Sequence, residues 1–264
     1  MNILIRGAGD LATGVGCRLH RCGFHVVMTE IAVPTTVRRT VAFSRAVYEN
    51  RVKVEDVTGL LCNSLYEVKK ALEHDFVAVV VDEACSIRRE WKPDAVVDAI
   101  IAKKNLGTNI TDADMVIGVG PGFTAGVDCH VVVETKRGHN LGRCIWEGSA
   151  FPNTGVPGMI GGYDKERIIR ATADGAFSGA VSIGTVVELG DVVGYADKNP
   201  IYAKVGGVVR GLLQDGVIVE RGMKSGDIDP RGVVENCFTI SDKATAIGGG
   251  VLEAILSLRK KRSV

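Results

Sequence analysis

The sequence predicts an α/β domain followed by a β-rich domain and a terminal helix. Three observations predict it. The first thirty residues read strand, glycine turn, helix, strand, acid. Apolar strand-like runs then alternate with helical patterns to about residue 125, as in a doubly wound parallel sheet. Beyond that point short Val- and Gly-rich runs take over, and residues 181–229 contain an internal near-repeat.

The opening stretch carries most of the functional information. Asn2 to Arg6 is a short apolar run that stops at Gly7-Ala8-Gly9-Asp10, and Leu11, Val15 and Leu19 then share one helical face. A second run, His25 to Thr29, ends at Glu30. This is the order of a Rossmann-like dinucleotide-binding unit. Gly7 and Gly9 let the chain turn sharply and let a pyrophosphate approach the backbone. Ala12 takes the third small position, and the free N–H groups of the first helical turn, Leu11 included, favour negative charge. Glu30 stands where a carboxylate accepts from ribose hydroxyls. Without a ligand, the same pattern is a tight strand-to-helix turn. Asp10 is ambiguous: beside a pyrophosphate it repels, so it either caps the helix or points to a metal.

Further strands are expected at Val52–Val54, Phe76–Val81, Ala95–Ile101 and Met115–Gly120, with a helix over Ser64–His74 and another running from Thr35 or Thr36 to Tyr48. Ligands of open α/β sheets sit outside the carboxyl ends of the strands. That rule gathers Gly7, Gly9, Asp10, Leu11, Ala12, Glu30, Asp82-Glu83, Asp98, Gly120 and Gly122 around one crevice. Cys85 follows a strand end and is a weak candidate nucleophile, because nearby carboxylates raise a thiol pKa; packing is its alternative role. Cys129 and His130 are sequence neighbours, so on a strand they face opposite ways and form no dyad. Arg137 to Asn140 is either an anion-binding turn or a solvated one, and Asp227 to Arg231 either a salt-bridged turn or a site.

The near-repeat pairs Ile183–Gly194 with Val208–Ile228, each with strand, V-x-x-G turn and strand. It resembles the barrel-sandwich hybrid of biotinyl and lipoyl carriers and places that fold near 176–231. Lys198 lies where the carriers hold their modified lysine, but without their flanking residues, so no covalent biotin or lipoyl group is expected. Ser241 or Asp242 caps a last helix whose apolar face is expected to pack on the N-terminal domain. The expected division is 1–125, 126–240 and 241–264.

Composition narrows the function. Net charge is +1 with 24% charged residues among 264, which offers no footprint for nucleic acid. No apolar run approaches the roughly 20 residues that span a bilayer, and Arg6 and Asp10 interrupt the first run, so neither a membrane span nor a signal peptide is expected. Seven scattered cysteines without a C-x-x-C pair suit a reduced, cytoplasmic protein. No metal-ligand spacing repeats, so no metal site is expected.

Five runs together resemble the YqeB family: GAGDLATG at 7–14, AVYENRVKVEDVTG at 46–59, GPGFTAGVD at 120–128, ETKRGHNLGR at 134–143 and GMKSGDIDPRG at 222–232. The first unit is also similar to the Rossmann part of XdhC-type accessory proteins. The resemblance implies an accessory role in maturing a selenium-dependent molybdenum hydroxylase. The ligand expected at the glycine turn is nucleotide-containing, either the dinucleotide form of the molybdenum cofactor (molybdopterin dinucleotide) or NAD. The implied partners are the hydroxylase client and selenium-donor proteins; a second copy of the chain (a homodimer) is a further expectation, separate from the resemblance. It supplies no catalytic residues. Two alternatives stand beside it: an NAD-dependent oxidoreductase using Glu30, and a selenium or sulfur transferase using Cys85.

Overall fold

In the computed structural model, which describes residues 1–155 and 158–262, the chain forms two compact units. The first comprises 1–34, 43–154 and 240–264; the second comprises 35–42 and 155–239.

The first unit is built on β1 (Asn2–Arg6), α1 (Asp10–Arg21), β2 (His25–Glu30), α2 (Ala46–Glu49), β3 (Arg51–Val54), β4 (Val57–Leu61), α3 (Leu65–Glu73), β5 (Val77–Val81), α4 (Arg88–Trp91), β6 (Ala95–Asp98), β7 (Met115–Val119), β8 (Thr124–Ala125), β9 (Val131–Val133), β10 (Cys144–Ile145) and β11 (Gly148–Ser149). Nine of these strands form one sheet in the order β10-β9-β7-β6-β1-β2-β5-β4-β3. From β9 to β4 every neighbouring pair is parallel. β3 and β10 close the two edges antiparallel. The Rossmann-like parallel sheet expected from the sequence is therefore corrected to a mixed sheet. It also runs past residue 125, because Val131–Val133 is fully buried and adds parallel to β7. Central strands are buried along nearly their whole length, as strands covered on both faces must be.

Two local expectations also change. Ser64 caps α3 by accepting from the Glu67 N–H, but no long helix follows Thr35. Arg39–Val41 is a single 3-10 turn, since Arg38 donates to the Asn236 and Thr239 carbonyls and Arg39 to Gln214, which ties this segment into the second unit. The strand expected over Ala95–Ile101 stops at Asp98, and Ile101 takes a left-handed φ of 61°.

The second unit contains β12 (Ile168–Arg170), β13 (Gly175–Gly179), β14 (Val186–Val187), β15 (Val192–Ala196), β16 (Asn199–Tyr202), β17 (Gly207–Leu212), β18 (Ile218–Val219) and β19 (Lys224–Asp229). They form two four-stranded antiparallel sheets, β12-β19-β17-β14 and β16-β15-β13-β18, over a core that includes Phe177, Val193, Ile201, Val209, Leu212 and Ile228. The expected barrel-sandwich hybrid is not this architecture. The near-repeat does not fold as two equal halves: its first copy supplies strands of 2 and 5 residues, its second strands of 6, 2 and 6. Strands outside the repeat, β12 and β13, complete the sheets. Lys198 lies in the tight turn joining β15 to β16 within one sheet.

The chain returns to the first unit with α5 (Asp242–Arg262), which packs along α1. Gly14 faces Ala244, and Gly248 faces Arg18 and the Gly14 carbonyl, so the helices run parallel. A Cβ on Gly14 would lie 2.6 Å from that of Ala244. Farther along, a Cβ on Gly250 would lie 2.0 Å from the Gly142 carbonyl oxygen, whereas one on Gly249 meets nothing within 4 Å. The two neighbouring glycines predict opposite responses. Gly250→Ala is expected to destabilise by about 1–3 kcal/mol through overpacking, and Gly249→Ala to stabilise by about 0.5–1 kcal/mol, both read by urea unfolding.

Candidate functional site

The carboxyl ends of the parallel strands gather the groups that can do chemistry. At the end of β1, Gly7 has φ of 92°, and a Cβ there would lie 3.0 Å from Ile100 Cα. The glycine turn is closed on itself. The Ala8 N–H donates to Glu30 Oε2 at 3.0 Å, and the Ile31 N–H to Glu30 Oε1 at 2.9 Å. The Ala8 carbonyl accepts from the Ser44 N–H at 2.8 Å and from Thr13 Oγ1 at 3.2 Å. Gly9 precedes α1 without a side-chain cap, Leu11 is half-buried and Ala12 buried. Burial holds the Glu30 carboxyl above its ordinary pKa, opposed by its two backbone bonds. Asp10 occupies the first turn of α1 and faces Lys243 as an opposite charge.

At the ends of β7 and β9, Gly120 has φ of 83°, donates to the Val133 carbonyl at 2.9 Å, and approaches Thr135. Gly122, φ 110°, presses on the Lys104 backbone. Glu134, the residue after β9, is 1% exposed. Its Oε1 accepts from the Thr135 and Lys136 N–H groups, both at 2.7 Å, and its Oε2 from the Phe151 N–H at 2.9 Å. That buried carboxylate fastens the 149–152 segment over the strand end. The result is a cavity of about 330 Å³ lined by Glu134, Asn140, Arg143, Ile145, Ser149 and Phe151, with Ala150 and Pro152. Among the described residues, the side chains of Asn140 and Arg143 make no hydrogen bond, so both are available to a ligand. Phe151 is 50% exposed, and Lys136 Nζ lies 4.9 Å from its ring centroid.

Lys243 stands in the first turn of α5, half-buried, with Asp10, Glu134, Arg137 and Asp242 bearing on its charge. Arg137 is itself held by Asp242 through a two-pronged ion pair. Because α1 and α5 are parallel, their amino ends lie side by side, and the positive ends of both dipoles point to this edge.

Of the other residues singled out in the sequence, Cys85 and Asp98 are enclosed, Asp82 is half-buried and Glu83 exposed. Cys85 is 1% exposed at a φ of 55°, and burial pushes its thiol up to about 11, which keeps it protonated at neutral pH. Asp98 is tied to Arg6 at 3.1 Å and accepts from Thr108 at 2.6 Å. Asp82 accepts from the Ile87 N–H. Among the described residues no three His, Cys, Asp or Glu side chains come together to hold a metal ion, and no helix is long and apolar enough to cross a membrane.

Lys243, Arg143, Glu134 and Phe151 were not marked by the sequence reasoning. A usable signal existed for two of them. A lysine in the first turn of a helix opposes the dipole, and an acid directly after a parallel strand falls on the ligand edge.

These features define a two-unit α/β and β protein with a ligand-sized cavity at the carboxyl edge of its parallel strands. Over 256 residues, 97% of its length, the chain is 52% identical to the uncharacterized protein YqeB of Escherichia coli (strain K12), and it belongs to the YqeB family. The chain spans about half of that relative, 47% of its length. No family model matches the chain. Solved structures similar to it include an aspartoacylase family protein from Mesorhizobium loti, 11% identical over 86% of this chain and 83% of that one with a TM-score of 0.26. A succinylglutamate desuccinylase/aspartoacylase from Rhodobacter sphaeroides is 13% identical over 85% and 86%, with a TM-score of 0.24. Neither is a biotinyl or lipoyl carrier, and at these TM-scores neither carries an argument about function.

Burial, then the Arg137 guanidinium, pushes the Lys243 pKa below its ordinary 10.5, against the pull of Asp10, Glu134 and Asp242. The charged amine is disfavoured in the fold, so stability is expected to rise with pH between the folded pKa and 10.5. Urea unfolding of the wild type against Lys243→Met across that window checks the sign: the wild type gains relative to the variant as pH increases.

Proposed function

We propose that the chain is an accessory protein of molybdenum hydroxylase maturation that binds a phosphate-bearing, nucleotide-type ligand at the carboxyl edge of its sheet. The cavity at the end of β9 is the observation that carries this reading. It has the size of a small-ligand pocket and joins an aromatic wall, Phe151, to an amide, Asn140, and a guanidinium, Arg143, that no side chain among the described residues engages. A ring can lie against Phe151 while Arg143 meets a phosphate oxygen, the geometry for which a guanidinium fork is suited. Lys243 and the amino ends of α1 and α5 add positive potential along the same edge. The maturation role is what the sequence motifs shared with the YqeB family imply, and the dinucleotide form of the molybdenum cofactor is the ligand we favour.

NAD is less well served. Its pyrophosphate would need the glycine turn, where the Ala8 N–H already has a carboxylate partner, and its ribose would need Glu30, both of whose oxygens are engaged. The residues present therefore do not fit an NAD-dependent hydride transfer. A transferase through Cys85 would need a thiol that burial keeps protonated and enclosed.

Isothermal titration with molybdopterin cytosine dinucleotide, NAD and NADP tests the proposal. Saturable binding of the molybdopterin dinucleotide is expected, weakened roughly 10- to 100-fold by Arg143→Ala, the loss of a hydrogen bond to a charged group. Absence of heat with all three ligands would sink the nucleotide reading. Unchanged selenium-dependent activation of a molybdenum hydroxylase on removal of the protein would sink the maturation role.

A further inference from the structure

The second unit buries a guanidinium that is ion-paired only at long range and lacks a hydrogen bond at its Nε. Arg210 is 6% exposed and sits in β17 at an irregularity of the ladder. Val209 pairs with Ile228 and Gly211 with Asp227, so Arg210 is the extra residue of a β-bulge, a device that re-aims a side chain. Its Nε is buried with no hydrogen-bond partner, and its nearest carboxylate oxygen, Asp229 Oδ2, is 3.8 Å from NH1, beyond hydrogen-bond length.

Both neighbouring carboxylates are already engaged. Asp229 accepts from the Arg231 side chain at 2.9 and 2.6 Å and from its N–H at 3.1 Å. Asp227 is paired with Arg167. Among the described residues, the buried charged side chains of the unit are three arginines, Arg38, Arg167 and Arg210, against two aspartates, Asp227 and Asp229. Burial, and then Arg38 as a like charge, push the Arg210 pKa down. A buried guanidinium is normally satisfied by a bidentate partner, and here none is supplied. The Thr35–Ala42 segment lies against the same strand: a Cβ on Gly211 would lie 2.8 Å from the Val37 carbonyl oxygen.

We propose that Arg210 anchors a binding site in the second unit for a phosphate-type oxyanion, with Arg38 and Arg231 contributing positive charge around it. The oxyanion supplies the missing acceptors for the Arg210 fork and balances the excess positive charge. The site is independent of the cavity in the first unit and requires no property of it. Its ligand is either free phosphate or the phosphate group of a larger molecule.

Thermal unfolding of the full chain in inorganic phosphate, against sodium chloride of matched ionic strength, tests this in an Arg143→Ala background that removes the guanidinium of the first-unit cavity. A saturable, phosphate-specific rise in Tm of about 3–5 °C is expected at tenfold excess over Kd. The rise is expected to vanish in Arg210→Met and to persist in Arg170→Met, whose guanidinium lies on the surface. Should Arg210→Met not fold, Arg210→Lys keeps the charge without the fork, and its apparent phosphate affinity is expected to fall at least tenfold. No saturable rise, or an equal rise with and without the Arg210 guanidinium, would overturn the proposal. A phosphate response together with unchanged binding of phosphate monoesters, such as glycerol phosphate, identifies the group rather than the free ion as sufficient.

Discussion

The close parallel packing of α1 on α5 is the constraint on which the first unit depends. It is possible only because Gly14, Gly248 and Gly250 present no side chain where the two helices and the 142 turn approach. The consequence is electrostatic as well as steric. Parallel helices place like dipole ends together, an unfavourable arrangement in isolation. The protein offsets it locally, with Asp10 in one first turn and Asp242 in the other. Lys243, a cation in a position that already carries positive potential, is then balanced by Asp10, Glu134 and Asp242. The carboxyl edge is thus a dense set of charges of both signs.

The buried carboxylates divide into two kinds of work. Glu134 is bound by three backbone N–H groups and shapes the cavity by holding the Phe151 segment. Glu30 does the equivalent for the glycine turn, filling a donor that a pyrophosphate would otherwise meet. Each acid satisfies backbone N–H groups beside a strand end. The difference lies in what surrounds them: Glu134 lines the cavity with Asn140 and Arg143, whereas Glu30 joins the glycine turn to Ile31.

Much of the first unit was legible in the sequence because its signals are local. Asn2–Arg6, His25–Glu30 and Met115–Val119 are continuous apolar runs, and Ser64 announces α3 with a side-chain cap. What could not be read was set by distant partners. The helix expected after Thr35 gives way because Arg38 and Arg39 find acceptors about two hundred residues away. The near-repeat has a pattern suited to two matched halves, yet strand length is decided by which neighbours are present, and β12 and β13 arrive from outside it. The cavity was missed for the same reason. Glu134, Arg143 and Phe151 belong to one turn-rich stretch with no periodicity, and only the hydrogen bonds of Glu134 bring them to one place.

The order in which the chain visits its units has a consequence for synthesis. α5, which covers α1, is made after every strand of both units. On the ribosome the nine-stranded sheet therefore emerges with the α5-facing side of α1, including the small-residue groove at Gly14, still open to solvent, while the β-rich unit is already complete. A nascent first unit would hold that groove exposed for the time needed to translate about a hundred further residues, several seconds at ordinary elongation rates. The glycines that let α5 seat so tightly are also the surface most in need of protection until it arrives.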